Sequence, residues 1–111
     1  MIHSQMLKGI LEGCIMAIIS KKASYGYEIS LKLEGYGFGK ITEGTIYPLL
    51  LRLEKNGFVS TEYVASELGP RRKYYSLTES GMNELNSFME SYYELGNAVD
   101  KLLEEVNADE D

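Results

Sequence analysis

The sequence has no tryptophan and only one cysteine, one histidine and two prolines among its 111 residues. A lone cysteine, Cys14, cannot form an internal disulfide, which is typical of proteins kept in a reducing compartment. The longest apolar run, residues 14–19, is far too short to span a bilayer. No basic leader with a small-residue cleavage site precedes it. We therefore expect a cytoplasmic protein with no membrane partner.

Signatures of catalysis and metal binding are also missing from the sequence. The single histidine, His3, has no partner at metal-ligand spacing, and the chain has no glycine-rich phosphate loop and no serine elbow. We predict that the protein is not an enzyme and uses no cofactor or metal. Cys14 lies on an apolar helix face, where a small core residue is the simplest interpretation and a redox switch is the alternative.

The formal net charge of −6 argues at first sight against a nucleic-acid partner, but the charge is unevenly distributed. Residues 1–80 hold ten Lys/Arg against eight Asp/Glu, a net +2, whereas residues 81–111 hold one against nine, a net −8. The local field, and not the total charge, governs attraction to a phosphate backbone. Residues 1–80 are therefore compatible with DNA binding if the acidic C-terminal part points away from it.

Hydrophobic periodicity and turn residues predict four helices and two strands. The predicted helices cover residues 5–20, 24–35, 42–56 and 78–106, with Ser24, Thr42 and Thr78 as N-caps. Two antiparallel strands, residues 58–64 and 73–77, flank a Gly-Pro turn that ends in three cations. Pro48 predicts an irregular or kinked first turn in the third helix. Residues 107–111 are predicted to form a disordered acidic tail.

This order of elements, three helices, two strands and a long helix, is that of a winged helix-turn-helix. We predict a mainly α fold with a small β-hairpin, a DNA-binding domain over residues 1–80 and a C-terminal dimerisation helix over residues 81–106. A single head cannot cover so long a helix, so its apolar seam predicts a homodimer. The seam has the alternating spacing of heptads and consists of Leu85, Met89, Tyr92, Gly96, Val99, Leu103 and Val106.

Three segments resemble the PadR family of transcriptional regulators: residues 26–29 (GYEI), residues 42–54 (TEGTIYPLLLRLE) and residues 69–78 (GPRRKYYSLT). Their order makes the resemblance specific, and it covers residues 7–106. The resemblance implies a dimeric repressor of the small type, with a single C-terminal helix. Its third helix enters the major groove of double-stranded DNA, and its hairpin, the wing, touches the backbone or the minor groove. Two-fold symmetry then predicts a palindromic operator.

The resemblance also implies which residues contact DNA, and Arg52 on the exposed side of the third helix is a further candidate. The contacts carried over from the family motifs fall on Thr42, Thr45, Tyr47, Arg71, Arg72 and Lys73. Their chemistry fits, since hydroxyls at a helix N-terminus and arginines on a hairpin both contact phosphates or base edges. The alternatives are capping for the threonines, core packing for Tyr47 and a solvated turn for the cations.

An aromatic pair, Tyr92 and Tyr93, lies in the middle of the last helix. In some short PadR-like regulators an aromatic residue there lines a cavity between protomers and stacks on flat, drug-like molecules. The resemblance thus implies a small hydrophobic or aromatic effector, although the multidrug binders carry a tryptophan that this chain lacks. The alternative is that the pair only fills the dimer seam. The expected effector or seam residues are Leu11, Ile15, Phe88, Met89, Tyr92, Val99 and Leu103.

A second class of function is also compatible with the sequence, because winged helices also serve as protein-interaction modules that never touch nucleic acid. The cationic residues 71–73 discriminate between the two classes. An interaction module has no need of three adjacent cations on the wing, whereas a DNA-binding protein uses them to attract phosphates.

Overall fold

The structure is a computed structural model that describes residues 2–110, with side chains through residue 108. Its helices and strands are α1 (Ser4–Leu7), α2 (Leu11–Lys21), β1 (Ser24–Tyr25), α3 (Gly26–Gly35), α4 (Glu43–Lys55), β2 (Val59–Ser66), β3 (Gly69–Leu77) and α5 (Glu79–Glu110). Helices α2 to α4 and a three-stranded antiparallel sheet form the head, and α5 extends the molecule to 60 Å in length. The predicted mainly α fold, a winged helix-turn-helix with a long C-terminal helix, is confirmed.

The core lies where α2, α3 and α4 meet the sheet. Ile15 of α2, Ile29 of α3 and Ile46 of α4 are completely buried there. Burying an aliphatic side chain of this size contributes about 1.5–3 kcal/mol. The apolar faces read from helical spacing are therefore the faces that the fold buries.

The N-terminal part departs from the prediction at two places. The predicted first helix is broken, since α1 ends at Leu7 and α2 begins at Leu11, with Gly9, a weak helix former, in the break. Ser24 does not cap a helix. It lies in β1 opposite Tyr75, and its hydroxyl donates a hydrogen bond to the carbonyl of Lys22 at 2.9 Å. Strand pairing with a distant part of the chain overrides the local capping signal.

Helix α4 is continuous from Glu43 to Lys55 although Pro48 lies inside it. The expected irregular first turn is not found, because the amides of Thr45 and Ile46 both donate to the carbonyl of Thr42, at 3.0 and 3.1 Å. Proline leaves the carbonyl four residues earlier, that of Gly44, without its helical partner. Gly44 is exposed, so water can satisfy that carbonyl and the helix continues.

The wing is longer than predicted. Strands β2 and β3 pair in antiparallel fashion over most of their length, and only Glu67 and Leu68 lie between them. Gly69 and Pro70 therefore belong to β3 and do not form the predicted Gly-Pro turn. The three cations that follow lie along a strand and not at the tip of the hairpin, so successive residues point to opposite faces of the sheet.

Helix α5 begins where the sequence predicted, because the Thr78 hydroxyl accepts a hydrogen bond from the amide of Gly81 at 3.0 Å. The helix runs to Glu110, so the disordered tail predicted from residue 107 is wrong as far as residue 110. Residue 111 lies outside the described residues. At 32 residues, α5 is about 48 Å long at 1.5 Å per residue. Most of it extends beyond the head.

The first turns of α5 pack against α2 through a close approach. Leu85 is buried, and the ring of Phe88 occupies the space in which a Cβ on Gly13 would lie. A side chain at position 13 would overlap that ring, so only glycine lets the two helices come this close. This contact fixes the direction in which α5 leaves the head.

Candidate nucleic-acid interface

The N-terminus of α4 presents three of the predicted DNA-contacting residues to solvent. Thr42, Thr45 and Tyr47 are all exposed, Tyr47 at 52%. The Thr42 hydroxyl makes no capping hydrogen bond to the helix and lies 3.3 Å from the Thr45 hydroxyl. Simple capping does not account for Thr42, and core packing does not account for Tyr47. All three side chains are available to a ligand that approaches this end of α4.

Arg52, the further candidate on α4, is engaged elsewhere. Its Nε donates a hydrogen bond to Oε1 of Glu12 at 2.6 Å, which ties α4 to α2. The hydrogen bond with Glu12, and then its charge, raise the pKa of Arg52. Because this guanidinium already has a carboxylate partner, we leave Arg52 out of the proposed DNA contacts.

The three cations of the wing differ in their surroundings. Arg71 lies over the ring of Tyr63 at 4.9 Å, and Arg72 lies over the ring of Tyr25 at 4.6 Å. Both arginines are exposed, and neither forms an ion pair within the described part of the chain. Stacking on an aromatic face holds a guanidinium in place and leaves its N–H donors free. Arg71 and Arg72 are therefore arranged to bind anions.

Lys73 does not share that arrangement. Its Nζ donates a hydrogen bond to Oε1 of Glu54 at 3.0 Å, and this bond is the largest of the causes that raise its pKa. The side chain is only 20% exposed. The sequence grouped Lys73 with the two arginines, but the structure places it between the wing and the end of α4.

A cleft of about 180 Å³ separates the start of α4 from the wing. Its lining residues are Tyr25, Gly26, Glu43, Tyr47, Leu50, Arg72, Lys73 and Tyr75. Tyr75 is 2% exposed, its hydroxyl has no hydrogen-bond partner among the described residues, and burial raises its pKa. Tyr47 and Arg72 both line this cleft, so α4 and the wing contribute side chains to one site. Tyr25 belongs to this surface through β1, which the sequence did not predict.

The predicted effector residues are brought together only in part. Ile15 is completely buried in the core of its own chain, so its side chain does not reach a surface that could line a cavity between protomers. Leu11 is nearly buried and borders a different cleft, of about 470 Å³, beside Thr42 and Thr45. The buried position of both residues on α2 follows from the packing of α2 in the middle of the head.

The remaining effector or seam residues do share one helix. Phe88 and Tyr92 stack with ring centroids 6.2 Å apart, and Tyr92 contacts Tyr93 edge to face at 5.5 Å. Beyond Phe88, the apolar positions of the seam are exposed along α5, and they include Met89, Tyr92, Val99, Leu103 and Val106. Isolated exposed apolar residues are ordinary, but a continuous row of them on one helix marks an interaction surface.

Two further properties bear on function. Cys14 is half-buried against the core, and burial raises the pKa of its thiol, which keeps the less reactive protonated form and disfavours the redox interpretation. Within residues 2–110, no helix combines the length and the apolar character needed to cross a membrane.

Known proteins provide an independent comparison. The family model for the transcriptional regulator PadR-like family matches residues 15–87. A PadR-like transcriptional regulator from Bacillus cereus is 50% identical, with a TM-score of 0.81 over 90% of this chain and 97% of that chain. A PadR-like transcription factor from Bacteroides fragilis is 42% identical, with a TM-score of 0.76 over 89% and 95%. A Lysinibacillus sphaericus protein is 31% identical over 106 residues, which cover 94% of this chain and 97% of that protein.

These matches favour DNA binding over the alternative of a protein-interaction module. They also agree with the prediction that the protein is not an enzyme, because PadR-like regulators act by binding DNA. The family match spans α2 through the start of α5 and includes the exposed end of α4 and the wing. The chain belongs to the PadR-like family of DNA-binding transcriptional regulators.

Proposed function

We propose that the protein is a cytoplasmic repressor that binds a palindromic operator as a homodimer through α4 and the wing. The observation that carries the proposal is the cleft that Tyr47 of α4 and Arg72 of β3 both line. The N-terminal part of α4 and the wing thus both contribute side chains to one cleft of the head. A duplex offers a groove and two phosphate backbones to such a surface at the same time.

Each group at this surface has a distinct role in the proposal. Thr42, Thr45 and Tyr47 enter the major groove with the N-terminal turns of α4, the recognition helix, and contact base edges or nearby phosphates. Arg71 and Arg72 fork onto backbone phosphates and release condensed counterions. The dimer would repress by occupying a promoter region and excluding polymerase. We leave Lys73 and Arg52 out because a carboxylate already neutralises each of them.

Replacing Arg71 and Arg72 with alanine should flatten the salt dependence of DNA binding. Each lost phosphate contact lowers the slope of log affinity against log salt by about 0.9, so the double variant should lose about 1.8. Fluorescence anisotropy with a labelled duplex across a salt series measures the slope. Lys101→Ala is the matched control, since it removes a cation from α5 and should leave the slope unchanged. An unaltered slope in a folded double variant would contradict the role of the wing.

The exposed seam on α5 supports the homodimer. A second copy of α5 can cover Met89, Tyr92, Val99 and Leu103 by the same heptad geometry that sets their spacing. A two-fold dimer then presents two recognition helices to one face of the duplex. The half-sites of the operator should be separated by about one helical turn of DNA or a multiple of it.

Helix α5 carries the exposed residues of the proposed effector site. Tyr92 is 48% exposed and stacks against Phe88 beside Met89. In a dimer this aromatic surface would border the interface, where a flat hydrophobic ligand could change the angle between the two heads. Such a ligand shifts DNA affinity only by its differential affinity for the two dimer shapes, typically about 1–3 kcal/mol.

Titration with a flat aromatic compound that does not itself bind duplex DNA, such as the anion 1-anilinonaphthalene-8-sulfonate, should quench tyrosine fluorescence and weaken operator binding by about 5- to 150-fold, the range of such coupling energies. Tyr92→Ala should abolish both effects, whereas Tyr92→Phe, which keeps the ring, should retain them. Because coupling is reciprocal, saturating operator DNA should weaken ligand binding by the same factor. Binding that survives Tyr92→Ala unchanged would leave this surface with a structural role only.

A further inference from the structure

Glu54 is an unusual residue for its position in α4. It lies in the last turn of the helix, where the exposed carbonyl groups carry partial negative charge and a carboxylate is electrostatically unfavourable. A glutamate at such a place needs compensating partners. The structure supplies them from outside the helix.

Both carboxylate oxygens of Glu54 bind the wing. Oε1 accepts a hydrogen bond from Nζ of Lys73 at 3.0 Å, and Oε2 accepts one from the hydroxyl of Thr61 at 3.2 Å. Thr61 belongs to β2 and Lys73 to β3. One side chain of the recognition helix therefore holds both long strands of the hairpin.

This network is partly shielded from solvent. The side chains of Glu54 and Lys73 are 35% and 20% exposed. The ammonium of Lys73 also lies over the ring of buried Tyr75 at 5.5 Å. An ion pair in such a setting keeps more of its strength than a fully exposed pair, because water and salt screen it less. The adjacent arginines at positions 71 and 72 have no such partner among the residues that the structure describes.

We propose that Glu54, Thr61 and Lys73 form a clamp that fixes the wing relative to the recognition helix, with Lys73 as a positioning residue and not a phosphate contact. The proposal rests on the proposed DNA-binding function and refines it. Attachment of both strands restrains the twist of the hairpin as well as its tilt. The clamp thus sets where Arg71 and Arg72 meet the backbone when α4 lies in the groove.

The clamp makes a prediction opposite to that of a simple cationic wing. A lysine that is already neutralised by Glu54 releases no counterion from DNA, so Lys73→Met should leave the salt slope unchanged, whereas a phosphate contact would lower it by about 0.9. Glu54→Gln should free Lys73 to reach a phosphate. That variant should raise the slope by about the same amount and tighten binding to unrelated DNA.

The test uses the full chain and two duplexes. One is selected by the wild-type protein from a random library, and the other is an unrelated duplex of equal length. Affinity for each is measured across a salt series for Lys73→Met, Glu54→Gln, Thr61→Val and the charge-swapped double variant Glu54→Lys with Lys73→Glu. Arg71→Ala serves as the reference for a lost phosphate contact, and Lys55→Met is the matched control, since Lys55 neighbours Glu54 and forms no ion pair within the described residues.

We expect Lys73→Met and Glu54→Gln each to reduce the ratio of specific to unrelated affinity by about tenfold, within the range of couplings in such networks. The charge-swapped variant should restore that ratio, and Lys55→Met should preserve it. Thr61→Val, which keeps the side-chain shape, should give a smaller loss of that ratio with no change in the salt slope.

Circular dichroism establishes that each variant is folded. If Glu54→Gln does not fold, the Thr61→Val and Lys73→Met variants carry the test.

The clamp would be overturned if the salt slope of Lys73→Met fell by about 0.9, or if the charge-swapped variant did not restore the ratio of specific to unrelated affinity. Neither result would contradict DNA binding itself. Failure of the wild-type protein to select any duplex from the library, or to bind the unrelated duplex in a salt-dependent way, would instead overturn the proposed function. The two failures are therefore distinguishable within one data set.

Discussion

Replacing Val99 and Leu103 together with lysine should convert the protein from a dimer to a monomer at micromolar concentration. Both residues lie on the exposed seam of α5, four residues apart. In the proposed dimer each lysine would be buried against an apolar partner helix without a counter-charge. An uncompensated buried charge costs about 3–5 kcal/mol, so even one such site should weaken the dimer more than a hundredfold.

Sedimentation equilibrium measures this change directly, and Asn97→Lys is its matched control. Asn97 is exposed on the same helix outside the seam, so the substitution adds the same charge and should leave the dimer intact. Loss of the dimer should also weaken operator binding, because two linked heads gain about 10²–10⁴ in avidity over one. A stable, folded monomer of the wild-type protein at micromolar concentration would contradict the proposed dimer.

Gly81→Ala should destabilise the head by about 3 kcal/mol or more, at the upper end of the overpacking range. Gly81 lies in the first turn of α5, where an added Cβ would overlap the carbonyl oxygen of Phe58 and approach Leu77 Cδ1 to 2.7 Å. A backbone oxygen cannot rotate away as a flexible side chain can. The start of α5 would therefore have to separate from the base of the wing, and the Thr78 cap would be lost with it.

Urea unfolding followed by circular dichroism gives the free energy of unfolding for this variant at matched protein concentration. The control is Gly35→Ala at the end of α3, where nothing lies within 4 Å of the added Cβ. That change should be neutral or should stabilise the protein by up to about 1 kcal/mol through helix propensity. A loss of less than about 1 kcal/mol for Gly81→Ala would mean that α5 does not meet the hairpin as closely as described.

Much of the fold could be read from the sequence because its determinants are local. The buried faces of the helices follow from spacing, as the burial of Ile46, Leu50 and Leu53 on α4 confirms. The end of α4 follows from Gly57, whose φ of +78° suits glycine, and the Thr78 cap follows from its hydroxyl. The seam of α5 is likewise a pattern within one helix, and its exposure in a single chain is what such a pattern predicts.

The sequence predicted which types of residue form the candidate site, but not which of them form ion pairs with other parts of the chain. Sequence identified the cluster at positions 71–73, yet it could not separate Lys73 from the two arginines, because the carboxylate that binds Lys73 lies 19 positions earlier in the chain. It likewise could not pair Arg52 with Glu12, which is 40 positions away. Such pairs depend on how α4 packs against α2 and against the wing.

By itself, the sequence determined the helical periodicities, the end of α4, the cap of α5, the uneven charge and the family motifs, because each depends only on which residues occur and on their order along the chain. Only the tertiary structure decided that Ser24 joins a strand, that Ile15 is closed off in the core and that Lys73 is neutralised by Glu54. These outcomes follow from contacts between distant segments. The free energy of such contacts exceeds the weak local preference of a serine for a helix N-cap or of a run of cations for solvent.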